Sequence, residues 1–168
     1  MLVIGNGKLF TRDENQAYIE NGAVAIEGTR IVAVDKTENI KDTYQHAEFI
    51  DAKGGVIMPA FINTHEHIYS AMARGLSIKG YNPKGFLDIL DGQWWTIDRH
   101  LTTEQTKYSA MDTMISCIRN GVTTIFDHHA SFGQIKGSLF AIADAAKLCT
   151  IRSPIWEMPA DVRLRWSL

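Results

Sequence analysis

The sequence predicts an α/β fold, a small β-sandwich module followed by parallel βα units. Two observations carry that expectation. Residues 1–55 read as short apolar strands broken by turn residues, and residues 56–149 alternate strand, helix, strand, helix, the order that builds a parallel sheet. With 168 residues, 45% of them hydrophobic and 21% charged, the chain is about one domain long and able to bury most of its apolar surface. Disordered and collagen-like classes are excluded.

In the first module, Leu2-Val3-Ile4 and Lys8-Leu9-Phe10 flank Gly5-Asn6-Gly7, and Ala23–Ile26 and Arg30–Val34 flank Glu27-Gly28-Thr29. Both patterns read as hairpins. Residues 38–48 are polar and weakly patterned, and are expected to connect to a strand at Phe49-Ile50-Asp51. The run Val56–Asn63 is apolar on both faces, as a strand buried on both sides would be. Residues 73–85, rich in Gly and Lys, read as a loop over the strand ends. Thr102 and Gln105 form a capping-box pattern, Tyr108, Met111, Ile115 and Ile118 recur at helical spacing, and Gly121 supplies a stop. Val122–Phe126 then reads as a β-branched strand and Ser138–Leu148 as an amphipathic helix. The tail, residues 150–168, departs from this rhythm, with Pro154, Pro159, Trp156, Trp166, Arg152, Arg163 and Arg165 in no clear period.

A net charge of −2 and a pI near 6.3 leave no electrostatic footprint for nucleic acid or an anionic membrane. No apolar stretch approaches the roughly 20 residues of a membrane span, and no export signal is apparent at the N-terminus. The cysteines, Cys117 and Cys149, lie in neither a CxxC nor a zinc-finger spacing, so a reducing, cytoplasmic setting is expected.

Four of the six histidines lie in two clusters, each directly after an expected strand. In His65-Glu66-His67 a strand sends residues i and i+2 to one face, so His65 and His67 can converge on one metal ion while Glu66 points away. Neutral imidazole suits zinc, iron or nickel. Strand-end histidines that merely bond backbone groups are the alternative, against which stands their place at a strand's C-terminal end, where parallel α/β folds gather active sites. In the second cluster, Asp127-His128-His129, strand parity is read with Val122, Thr124 and Phe126 outward on helices. Asp127 and His129 then face the mouth that holds His65 and His67. These three residues serve either a turn and the surface, or the ligands and the substrate. Gln93 and Trp94, with Trp95, are suited to a flat heterocycle or to loop packing. Arg74 is suited to a substrate anion or a surface carboxylate.

The stretch Gly55-Val56-Ile57-Met58-Pro59-Ala60-Phe61-Ile62-Asn63-Thr64-His65-Glu66-His67 resembles the amidohydrolase superfamily, whose signature is a proline, small and apolar residues and then HxH at the end of the first barrel strand. Arg74-Gly75, the helix start at Leu101-Thr102 and Asn120–Asp127 extend the likeness to the ring-deaminase and chlorohydrolase branch, nearest the SsnA-type aminohydrolases. Ala60 stands where many members have glycine. The resemblance implies a (β/α)8 TIM barrel with a composite β-sandwich built from both chain ends, and a divalent metal, zinc first and iron as the alternative, with His65 and His67 as two ligands. It further implies hydrolysis of a C–N bond in a cyclic amidine such as a purine, pterin or triazine, with C–Cl as a variant. The remaining ligands and the proton-shuttling carboxylate of such proteins have no counterpart in this sequence.

The 111 residues that follow the first 57 make three or four units at about 30 residues each, whereas a barrel takes about 250. The expected chain is therefore a truncated barrel, divided as a β-sandwich at 1–55, first βα units at 56–149 and a divergent tail at 150–168. Its expected state is a fragment or frameshift product, self-associated or completed by a C-terminal half. Two readings outside the mononuclear deaminases stay open. One is an inactive remnant or weak two-histidine metal module; the other is the binuclear branch of the superfamily with a carboxylated lysine.

Overall fold

Along Leu2–Phe10 burial alternates, Val3, Gly5, Gly7 and Leu9 inward, and this period of two makes strand β1. It pairs antiparallel with β2 (Tyr18–Glu27) and parallel with β4 (Glu48–Asp51) and β5 (Val56–Ile57), and β2 pairs antiparallel with β3 (Arg30–Lys36). A computed structural model describes residues 1–151. Two units are distinguished, 1–59 and from residue 60 onward.

Three expectations for the first unit are corrected. Gly5-Asn6-Gly7 is not a hairpin turn, because β1 runs straight through it. Asn6 takes a positive φ of 57° in a bulged register, and a Cβ on Gly7 would lie 2.6 Å from Ile57, so the glycine serves close packing. Residues 1–59 also do not make a sandwich by themselves: their strands form one five-stranded sheet, ordered β3-β2-β1-β4 with β5 on β1. Finally, the polar connector holds helix α1 (Thr37–Thr43). Its Ile40 packs with Val3, Ala23 and Ala25, and one apolar residue is too sparse a pattern to announce a helix. The second expected hairpin forms, with Gly28 at a φ of 56° between β2 and β3.

The apolar run Val56–Asn63 is split. Val56–Ile57 belongs to the first sheet, and β6 (Phe61–Glu66) begins beyond Pro59. Phe61 and Ile62 are exposed rather than buried on both faces, since β6 has one strand neighbour among the described residues. That neighbour is β7 (Val122–Asp127), in parallel register. The parallel βα expectation therefore holds, without a closed barrel among the described residues.

After β6 come a 3-10 helix (Ile68–Ala73) and an irregular stretch, then α2 (Phe86–Ile89), a π turn (Leu90–Trp94) and α3 (Trp95–His100). Helix α4 (Thr103–Arg119) starts at a complete capping box. Thr102 Oγ1 accepts the Gln105 N–H at 3.2 Å while Gln105 Oε1 accepts the Thr102 N–H at 2.9 Å, satisfying two of the helix's orphan donors. Gly121, with φ of 75°, ends it.

The face of α4 that packs differs from the expected one, of which Met111 alone is half-buried against the core. Thr106, Ser109, Ala110, Thr113, Met114 and Cys117 are buried, while Tyr108, Ile115 and Ile118 are exposed. Ala110, Met114 and Cys117 meet Ile68, Ile125 and the Ile142, Ala145 and Ala146 side of α5 (Ser138–Cys149) in the core of the unit. Small residues on both helices let the backbones approach closely. The expected irregular tail lies, from residue 152 on, outside the described residues. Met114→Ala, which empties a fully buried position in this core, is expected to lower unfolding stability by about 2–5 kcal/mol, measured by urea denaturation.

Candidate functional site

Parallel pairing sets the end of β6 beside the end of β7, with Glu66 opposite Asp127. Three hydrogen bonds then lock the two strand exits together. The His128 N–H donates to the Glu66 carbonyl at 2.7 Å, the Ile68 N–H to Asp127 Oδ1 at 3.0 Å, and His67 Nδ1–H to the His128 carbonyl at 2.9 Å.

The last bond fixes the tautomer of His67. A carbonyl only accepts, so Nδ1 carries the proton and a neutral ring presents its Nε2 lone pair. That Nε2 lies 3.3 Å from His65 Nε2. Metal–imidazole bonds of 2.0–2.1 Å in a tetrahedral shell place two donor nitrogens about 3.3–3.4 Å apart, so the pair matches one edge of such a shell. The Glu66 carboxylate is occupied elsewhere, accepting from Asn63 Nδ2 at 2.7 Å and from the His67 N–H at 3.1 Å. His65 and His67 thus bring their ring nitrogens together at the end of β6. His128 joins them, one ring nitrogen from each of the three lying within 4.8 Å of the others.

The parity expected for β7 is reversed. Ile125 and Asp127 are buried and Phe126 is exposed, with Ile125 in the core against α4 and α5. Asp127 and His129 therefore sit behind the histidine trio, and His128 takes the place expected of His129. His129 Nε2 bonds Ser138 Oγ at 2.9 Å, and Ser138 Oγ itself donates to the Ile135 carbonyl at 3.0 Å. Nε2 is then the donor toward Ser138, and His129 Nδ1 faces Asp127 Oδ2 at 3.5 Å.

Two residues of this buried layer escaped the sequence reading, Tyr69 and Asp98. Tyr69 is edge-on to both His67 and His129, with centroids 5.9 and 5.3 Å away. Burial, with the Asp98 carboxylate next to it, raises its phenol. Burial also pushes the Asp98 carboxyl up to about 6, against the Tyr69 hydrogen bond and the charges of His67, His129 and Arg99. The signal for Tyr69 was its place two residues beyond HxH; Asp98 gave none. Gly133 holds the loop after β7 against α3, its N–H donating to the Asp98 carbonyl at 2.9 Å. A Cβ there would lie 2.3 Å from the Arg99 carbonyl oxygen.

A groove of about 620 Å³ opens at His67 and is lined also by Glu66, Arg74, Gln93, Trp94 and Asn120. The π turn carries Gln93 and Trp94 there, and the Trp94 ring lies 5.8 Å from that of His67. Arg74 pairs with Asp112 at 3.1 Å on the exposed rim, a pair that contributes little to stability. Arg74, Gln93 and Trp94 therefore share the groove with His67, while Asp127 and His129 lie behind it.

The sequence pattern of the amidohydrolase family matches residues 56–160. A 5'-deoxyadenosine deaminase of Methanosarcina barkeri is 28% identical over 157 residues, which are 93% of this chain and 34% of that protein. A 5-methylthioadenosine/S-adenosylhomocysteine deaminase of Nitratidesulfovibrio vulgaris is 28% identical over 153 residues, 90% of this chain and 33% of that protein. Among solved structures, a mutant atrazine chlorohydrolase of Arthrobacter aurescens, complexed with zinc and atraton, superposes with a TM-score of 0.76 at 25% identity. It covers 91% of this chain and 34% of that one. The guanine deaminase of E. coli shares the fold at a TM-score of 0.68 and 21% identity, over 91% of this chain and 36% of that one. The chain spans about a third of the length of the curated relatives it matches.

Two measurements, both made with a chelator present, check the buried layer. Asp127→Ala strands the Ile68 amide and is expected to cost about 1–3 kcal/mol in urea unfolding, with Asp127→Asn, which keeps an acceptor oxygen, costing less. Asp98 holds its proton to about pH 6 when folded and to only about pH 4 when unfolded. Between those limits the native state binds more protons, so this group's contribution to stability falls as pH rises from about 4 to about 6 and is level above. Relative to wild type, Asp98→Asn is expected to gain stability across that window and to hold a constant difference beyond it.

Proposed function

We propose, because the chain belongs to the amidohydrolase family, that His65 and His67 hold a divalent metal, zinc before iron. The complete protein hydrolyses a C–N bond of an amidine-like nitrogen heterocycle such as a purine, pterin or triazine. Water oxygen replaces the ring's amino nitrogen, and ammonia leaves. The observation that carries this reading is the 3.3 Å approach of the two Nε2 atoms, with the His67 tautomer set by the His128 carbonyl. A divalent metal held there supplies the Lewis acidity that makes water nucleophilic near neutral pH.

The chain's own residues bind and orient. His65 and His67 present lone pairs, and Trp94 and Gln93 give the groove an aromatic face and an amide beside His67, fitted to a flat ring with polar edges. Arg74 reaches a substrate anion by exchanging its exposed Asp112 partner. Behind them Asp127 and His129 position the strand ends. The substrate partner on this reading is a small heterocycle; a second copy or a complementing half is the macromolecular partner, since open strand edges invite pairing. No helix of the described residues is long and apolar enough to cross a membrane.

One observation favours a second reading, metal binding without turnover by these 168 residues alone. Among the described residues the group able to hold a metal is three imidazoles, and the nearby Asp127 carboxylate is engaged with the Ile68 amide.

Elemental analysis of the purified chain, beside ammonia release from aminopurines and triazines, tests both readings. Near-stoichiometric metal is expected in the wild type. In His67→Ala metal affinity is expected to fall by more than the roughly 10–100-fold that loss of an outer hydrogen-bond partner costs. Ammonia release supports the hydrolase reading, metal without ammonia the second, and an unchanged metal content in His67→Ala overturns the assignment of the pair.

A further inference from the structure

We propose that the His128 imidazole is a third metal donor, so that this chain carries a three-histidine site assembled from two adjacent strand ends. The proposal rests on the metal reading of His65 and His67 and deepens it, because His128 appears in no ligand set implied by the resemblance.

The His128 backbone and side chain have separate uses. Its N–H donates to Glu66 and its carbonyl orients His67, so both main-chain polar groups serve the strand junction. The side chain is exposed on the same side as the other two rings. Its ring stands edge-on to His65, centroids 5.5 Å apart at 83°, and stacks on His67 at 5.2 Å and 20°.

One nitrogen of each ring lies within 4.8 Å of the others. The His65–His67 edge already has tetrahedral length at 3.3 Å. The edges to His128 need to shorten by at most about 1.5 Å to reach the 3.3–3.4 Å of a tetrahedral shell, a displacement within reach of a rotation about Cα–Cβ at an exposed position.

Electrostatics points the same way. Three imidazoles this close repel one another when protonated. When neutral, each presents a ring lone pair that a shared cation can accept. Three neutral imidazoles with one open position form a donor set that binds zinc, cobalt, nickel and copper rather than magnesium or calcium.

The backbone placement of the junction makes the test clean, because substituting the His128 side chain leaves both junction hydrogen bonds in place. Zinc(II) and cobalt(II) are titrated calorimetrically into the metal-free full chain. The proteins are wild type, His128→Ala, His128→Phe, which keeps a ring and removes the nitrogens, and His65→Ala. Cobalt's visible absorption reports donor number and geometry. Circular dichroism of each metal-free variant checks the fold.

The expected result is one equivalent bound by wild type and affinity weakened at least about tenfold in both His128 variants. Their cobalt band is expected to collapse toward the weak absorption of a water-rich shell, with the fold unchanged. Equal affinity and an equal cobalt spectrum in wild type, His128→Ala and His128→Phe, with His65→Ala losing the metal, overturn the third donor and leave the His65–His67 pair standing. No binding by folded wild type overturns the third donor and the pair together.

Discussion

Three hydrogen bonds tie the exit of β6 to the exit of β7, and each uses a group that would otherwise be left unpaired where a strand stops and a loop begins. The Ile68 amide is buried and takes Asp127 Oδ1. The Glu66 carbonyl takes the His128 amide, and the His128 carbonyl takes His67 Nδ1. An unpaired buried donor costs about 1–3 kcal/mol, so the junction is held by a penalty for opening as much as by the bonds themselves. The histidine geometry is a consequence. The loop that follows β6 cannot turn away while Ile68 is anchored, and His67 cannot rotate while its ring is held.

Beneath that junction lies a layer that stability alone would not select. Asp98, Asp127, Tyr69 and His129 are all buried or nearly so, and Asp98 Oδ1, Asp127 Oδ2 and His129 Nδ1 have no hydrogen-bond partner. His129 Nδ1 and Asp127 Oδ2 face each other at 3.5 Å without a hydrogen bond between them. Proteins that leave polar groups in this state commonly do so next to a functional site. Here the cost falls directly behind the histidines, with Asp98 kept partly neutral by burial and the acceptor capacity of Asp127 only half used.

What the sequence made legible was local and strongly patterned. The HxH pair, the capping box at Thr102, the strand after Gly121 and the helix at Ser138 each follow from a rule that spans a few residues. What it hid depends on partners distant in the chain. Gly5-Asn6-Gly7 carries turn chemistry, yet the packing of Ile57 and Thr37 against it keeps the strand continuous. On α4 the larger apolar residues suggested the buried face, but the alanines of α5 select the small side instead. On β7 the pattern Val-Thr-Thr-Ile-Phe-Asp is apolar on both parities. Nothing local showed that Ile125 and Asp127 face the helices and that the chain turns at His128 to present its ring with His65 and His67.

Parallel strands are ordinarily buried on both faces, but the β6–β7 pair leaves Phe61, Ile62 and Phe126 exposed. The helices around it likewise expose Tyr108, Ile115, Ile118 and Phe140. Such surfaces suit further βα units, and in a (β/α)8 barrel they would be covered. The three histidines do not share that dependence. They stand on two neighbouring strands whose exits are bonded to each other, so their spacing is set before any further strand is added. A groove closed on all sides, by contrast, needs walls that two strands cannot supply. The spacing of the histidines and the closure of a groove around them are therefore separable properties of this architecture: the first rests on the junction between β6 and β7, and the second on what surrounds it.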